Sequence, residues 1–90
     1  MESKPDNKIF YVKVTSPDGL VFGGNVLSIT SINNYGEFDI LSSHANFITI
    51  IEDKVILVLE DKTKKEYKVD NGIIRAFENN VDVYLGIEVY

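Results

Sequence analysis

The chain has 90 residues, room for one small domain. Fourteen acidic against nine basic side chains give a formal net charge of −5, with no Cys and a single His. The Cys and His counts exclude a disulfide framework and a thiolate or multi-histidine metal site, and the acidic balance argues against a nucleic-acid or anionic-membrane binder, whose phosphate contacts need clustered Lys and Arg.

Residues 1–8 read as a flexible polar leader without the apolar core of a secretory signal, so a cytoplasmic location is expected. Residues 9–90 read as one domain. Helix periodicity is nearly absent, and β-branched and aromatic residues dominate. Segment 9–15 alternates, with Phe10, Val12 and Val14 on one face and Lys13 on the other. Ser16-Pro17-Asp18-Gly19 has turn chemistry. A short strand at 20–22 ends at Gly23-Gly24, which reads as a bulge or a strand end. The next strand, 25–32, offers Val26, Leu27, Ile29 and Ile32 to a core. Asn33-Asn34-Tyr35-Gly36 is a second turn. Strands follow at 37–41 and 47–51, separated by the polar stretch 42–46. Segment 54–60 is apolar at every central position and is expected to be covered on both faces. After the charged tip 61–64, segment 65–70 points Tyr67 and Val69 inward. Asn71-Gly72 carries a hairpin signal, although a bulge suits it as well. Strands 72–77 and 81–89 complete the chain. The last points Val81, Val83, Leu85, Ile87 and Val89 one way, and Asp82, Tyr84, Gly86 and Glu88 the other. About nine short strands with regular turns describe an all-β fold, an antiparallel sandwich or barrel.

Catalytic chemistry is poorly served. Ser43 and His44 are adjacent, and adjacent strand residues point to opposite faces, so they make a poor nucleophile and base. The acids sit at strand edges and turns, where solvation is their ordinary state. The run from Asn33 to Asp39 only loosely resembles the oxygen-ligand spacing of a calcium loop. Lys62, Lys64, Lys65 and Lys68 interleave with acids, as on a solvated hairpin that resists edge pairing. Tyr35 in a turn, Phe47 after a polar break and Tyr84 on a polar face fit a core less easily and are candidate interface anchors. These residues describe a module that binds and does not catalyse, with no cofactor, metal or small-molecule ligand expected.

An ordered series of motifs narrows this. The run Val14-Thr15-Ser16-Pro17-Asp18-Gly19-Leu20-Val21-Phe22-Gly23-Gly24-Asn25-Val26 resembles the opening of the epsilon subunit of rotary ATP synthases, with its "(T/S)P-(D/E)" turn, apolar-aromatic pair and Gly. Tyr35-Gly36-Glu37-Phe38-Asp39-Ile40-Leu41-Ser42-Ser43-His44-Ala45 is similar to that family's "GEFGILPGHAP". Phe47-Ile48-Thr49 falls at its "LLT", Val69-Asp70-Asn71-Gly72-Ile73-Ile74 at "VSGGFLEV", and Asn79-Asn80-Val81-Asp82-Val83-Tyr84-Leu85 at "NNKVTVLAD". The resemblance spans about residues 9–89. It departs at Ser42-Ser43 and Asn46, where the family has Pro-Gly and Pro.

The resemblance implies a ten-stranded β-sandwich and a non-catalytic central-stalk subunit of a proton- or sodium-driven ATP synthase. Such a subunit sits peripherally on the cytoplasmic face of the plasma membrane and couples rotation to ATP synthesis. Its implied partners are the gamma subunit, through Ser16, His44 and Thr49, and the c-ring loops, through Asn34, Tyr35, Gly36 and Glu37. The family's C-terminal helical hairpin has no counterpart before Tyr90, so neither its inhibitory arm nor its ATP site is expected here. The alternative, from another functional class, is a stand-alone β-sandwich adaptor that takes a peptide or regulatory protein by an edge strand or loop cluster.

Overall fold

The computed structural model describes residues 8–86. Most of the expected leader, and Ile87 and Val89 of the last expected strand, lie outside that range. Six strands follow in order: β1 (Phe10–Ser16), β2 (Gly19–Asn33), β3 (Gly36–Ile40), β4 (Phe47–Leu59), β5 (Lys64–Phe77) and β6 (Asn80–Leu85). The ladders run β1-β6-β5-β4-β2-β3, and β1 also pairs with β2, so the sheet closes on itself. All ladders are antiparallel except β1–β6.

Within the described residues the nine expected segments are extended, but six of them fuse into three long strands. None of the three breaks read from sequence ends a strand: the last two are bends, while Gly23-Gly24 runs in unbroken register with β1 and the corner of β2 falls at Leu27, where its register with β4 shifts. Gly23-Gly24 lies within β2, Glu52-Asp53 within β4, and Asn71-Gly72 within β5. The last two bends face each other across a single register shift, from Ile51–Gly72 to Asp53–Val69, which marks a bulge, so the hairpin reading of Asn71-Gly72 is corrected. The long strands thereby turn corners and serve two layers. One layer holds β1, β6, residues 19–26 of β2, 72–77 of β5 and 47–51 of β4. The other holds β3, residues 28–33 of β2, 52–59 of β4 and 64–69 of β5.

Alternation fills the space between the layers. Val12, Val14, Ile74 and Val83 come from the first layer, and Ile29, Ile40, Val55 and Leu57 from the second, all fully buried. Of the core expected in 25–32, Val26 and Ile29 are buried, while Leu27 and Ile32 are half-buried. The expectation that 54–60 is covered on both faces fails. Val55 and Leu57 are buried, but Ile56 and Val58 stand half-exposed on the outer face of the second layer. Continuous apolarity there reflects β-propensity as well as burial.

The bend in β4 has its own polar partner. Between the pairs Ser31–Val55 and Ile32–Glu52, β4 carries two extra residues, and Asp53 takes a left-handed backbone (φ 77°). Asp is among the residues that tolerate that conformation. The Ser31 hydroxyl donates to the Lys54 carbonyl at 2.7 Å, and Ser31 is the one buried polar residue among those described. A bulge frees a carbonyl from the ladder, and this hydroxyl satisfies it.

Candidate docking surfaces

The outer face of the first layer can be read row by row from the pairing register. One outward row crosses five strands as Ile50, Ile73, Tyr84, Thr15 and Leu20. The next is Ile48, Arg75, Asp82, Lys13 and Gly23. A third carries Phe77, Asn80, Tyr11 and Asn25. Apolar side chains thus border a polar strip in which Arg75 and Asp82 form an ion pair at 3.5 Å. Ile48 and Ile50 are 67% and 65% exposed, and Leu20, Phe77 and Tyr11 are also exposed. The apolar row reaches about 19 Å across four strand spacings. The row forms an exposed apolar band on the outer face, and Tyr84 belongs to it. Alternation could have singled out Ile48 and Ile50 as well, but β-branched residues in a strand look like core until a register is known.

The β2–β3 turn is built by Asn33. Its Oδ1 accepts from the Tyr35 N–H at 2.8 Å, and Gly36 supplies the positive φ of 120° that closes the turn. Asn34, Tyr35, Gly36 and Glu37 are all exposed, and Tyr35 is 91% exposed at the tip. Asn33 Nδ2 also donates to Thr49 Oγ1 at 3.1 Å, which ties the turn to β4. Phe47, the third odd aromatic, is core: it packs edge-on against Phe38 at 6.3 Å.

Ser16, His44 and Thr49 are not brought together. Ser16 closes the β1–β2 turn, where its Oγ accepts from the Asp18 N–H at 3.2 Å. His44 lies at the other end of β1, its ring edge-on to Phe10 at 5.5 Å. Six residue steps of strand separate Phe10 from Ser16, about 20 Å. Thr49 lies three strands from the β1 row of Val14, about 14 Å away. Each of the three side chains also has a local role. The backbone N–H of His44 closes a turn on the Leu41 carbonyl at 3.0 Å, while its ring Nδ1 lies 3.2 Å from the Ala45 carbonyl and its Nε2 is enclosed without a hydrogen-bond partner. A single partner touching all three must span one side of the domain.

These features define a class: a small acidic β-sandwich that presents an apolar sheet face and a rigid, aromatic-tipped turn. The chain belongs to the ATP synthase delta/epsilon chain β-sandwich domain family, whose model matches residues 9–85. It is 32% identical over 73 residues to the ATP synthase epsilon chain of Sulfurimonas denitrificans, covering 80% of this chain and 56% of that one. It is 34% identical over 74 residues to the epsilon chain of Endomicrobium trichonymphae, covering 82% and 54%. The chain therefore spans little more than half the length of these curated relatives. Among solved structures, a chain of the Euglena gracilis mitochondrial ATP synthase, described as OSCP/F1/c-ring, superposes with a TM-score of 0.80. It is 21% identical and covers 99% of this chain and 59% of that one. A chain of the Tetrahymena thermophila mitochondrial ATP synthase central stalk and c-ring gives a TM-score of 0.71 at 11% identity, covering 83% and 61%. These two likenesses support the fold.

Proposed function

We propose that this domain is a non-catalytic coupling module of an ion-driven rotary ATP synthase. It docks on the gamma subunit and reaches the polar loops of the c-ring, so that rotation drives ATP synthesis on other subunits. Its place is peripheral, at the cytoplasmic face of the plasma membrane. The observation that carries the reading is a family match over residues 9–85 on a domain whose first layer leaves Leu20, Ile48, Ile50 and Tyr84 uncovered. The relatives' names as epsilon chains, and the description of the structural neighbours as stalk and c-ring assemblies, point the same way.

Within this reading, Ser16, His44 and Thr49 face gamma, and Asn34, Tyr35, Gly36 and Glu37 face the ring loops. The short bond from Asn33 to Thr49 supports a stiff link between the two contacts. The acidic balance favours encounter with basic stalk or loop surfaces and adds less to final affinity. The test is calorimetry or co-elution with the gamma chain encoded in the same genome. A saturable one-to-one complex is expected, weakened by Thr49→Lys. No complex at about 50 μM, well above the Kd of a specific interface of ordinary size, would refute the reading.

A further inference from the structure

A closed sheet that splits into two layers leaves four strand edges, and edges invite pairing unless something blunts them. Among the described residues these are 19–24 of β2 and 47–51 of β4 in the first layer, and β3 and 64–69 of β5 in the second. Three are blunted. β3 is five residues long and carries exposed Glu37 and Asp39. Segment 64–69 carries Lys64, Lys65, Glu66 and Lys68. Segment 19–24 contains Gly19, Gly23 and Gly24 and carries a bulge at Val21, opposite the step from Val14 to Thr15.

The fourth edge has no such protection. Segment 47–51 reads Phe-Ile-Thr-Ile-Ile, without a charge, Gly or Pro, and its register with β5 is unbroken. Its free side opens where β2 leaves β4 after the pair Ile32–Glu52. A groove of about 440 Å³, lined by Asn34 and by Ile48 through Glu52, occupies that wedge. An uncharged, β-branched segment with an unpaired backbone side is a ready template for pairing with another chain.

We infer that the 47–51 edge of β4 is a strand-addition site for an extended segment of another polypeptide, apolar at alternate positions and carrying a Lys or Arg where it meets Glu52. The charge follows from the surroundings. Glu52 and Glu37 flank Ile32 from neighbouring strands, Asp53 is next in the chain, and no ion pair among the described residues neutralises any of the three. A second copy of this chain would add the same acids and another −5 of net charge. Main-chain hydrogen bonds would supply affinity, and Ile48 and Ile50 would receive the alternate apolar side chains on the outer face. The inference goes beyond the stalk reading and does not require that gamma supply the strand.

The probe is a capped synthetic heptapeptide, Lys-Ile-Thr-Val-Thr-Val-Thr, titrated into the isotope-labelled chain and followed by amide shifts and hydrogen exchange. Saturable shifts and slowed exchange at 47–51 are expected. They should weaken about fivefold when the peptide's Lys is replaced by Glu, the size of one exposed charge reversal. Ile50→Lys, at an exposed position, should remove the binding while the chain stays folded. No response at 47–51 with about 1 mM peptide, the weakest affinity of interest, overturns the inference. So does a response confined to 36–40 or 64–69. Self-association through 47–51 without peptide would also overturn it by naming a second copy as the occupant. Failure of gamma to bind, by contrast, counts against the stalk reading alone.

Discussion

Ser31→Ala tests whether one buried hydroxyl holds the corner of β4 that creates the free edge. Ser31 is fully buried, and its bond to the Lys54 carbonyl is 2.7 Å long. The substitution removes the donor and leaves the freed carbonyl of the bulge without one, which costs about 1–3 kcal/mol. A 90-residue domain has about 5–13 kcal/mol of net stability to lose from. Taking about 2 kcal/mol as the centre, and about 4–8 °C of Tm per kcal/mol for a domain of this size, Tm should fall by about 8–16 °C. Thermal unfolding followed by circular dichroism gives the number, and urea unfolding checks that the m-value is unchanged. Amide exchange at 52–55 should accelerate beyond the global change, because the loss is local to the bend. A loss below about 0.5 kcal/mol, the range of an ordinary surface substitution, would refute the reasoning. It would mean that solvent reaches the carbonyl and replaces the hydroxyl.

Four further outcomes follow from the same geometry. Gly72→Ala should destabilise by about 1–3 kcal/mol in urea unfolding, because an added Cβ would lie 2.8 Å from the Tyr84 carbonyl oxygen and 3.1 Å from Ile51 and Val69 side-chain carbons. Arg75→Ala should cost less than about 1 kcal/mol in the same assay, since its ion pair with Asp82 is solvent-screened. Ile48→Lys should leave stability within about 0.5 kcal/mol, because Ile48 is largely exposed, while calorimetry with the gamma chain shows weakened binding. Thr63→Val should raise the Asp61 pKa toward 3.8 in a carboxyl NMR titration, because the Thr63 hydroxyl and N–H now hold that carboxylate below its usual value. A lowered folded-state pKa contributes stability above pH 3.8 that is lost as pH falls through the folded value, and the variant should lose the hydroxyl's share of this contribution while keeping that of the backbone N–H.

Much of this was legible in the residues. Alternation placed Phe10, Val12 and Val14, and Val81 and Val83, on the buried face, because a period of two survives wherever one side of a strand meets water. Strand continuity was not legible. Gly23-Gly24, Glu52-Asp53 and Asn71-Gly72 have the composition of turns, and local sequence does not distinguish a chain that reverses from one that continues. The distinction lies in what the next segment pairs with. After Asp53, β4 keeps its partner β5 and gains β2, so it turns a corner while the ladder persists. The role of Ser31 was hidden for the same reason. A Ser inside an apolar strand carries no signal until the carbonyl it serves, 23 residues later, is known. Ser16, His44 and Thr49 entered through resemblance alone. Motif matching locates positions along a chain and is silent about their separation in space.

That separation bears on how the domain would carry torque. A contact patch at the apolar sheet face and another at the Tyr35 turn are useful to a rotor only if the body between them does not shear. Two stacked sheets joined solely by loops can slide on a greasy interface, because hydrophobic contact is non-directional. Here β2, β4 and β5 each pass through both layers, and β1 closes the ring by pairing with β6 and with β2. Displacing one layer against the other therefore requires breaking ladder hydrogen bonds, or unbending corners fixed by the Ser31–Lys54 bond and by the close packing around Gly72. The turn that carries Tyr35 sits at the end of β2 and is bonded through Asn33 to Thr49, one residue from Ile48 and Ile50 on the apolar face. Force applied at either contact thus reaches the other through one strand and one side-chain bond. Asn33→Ala breaks the latter together with the Asn33–Tyr35 bond that shapes the turn, and it should lower coupling in the assembled complex more than it lowers the domain's own Tm.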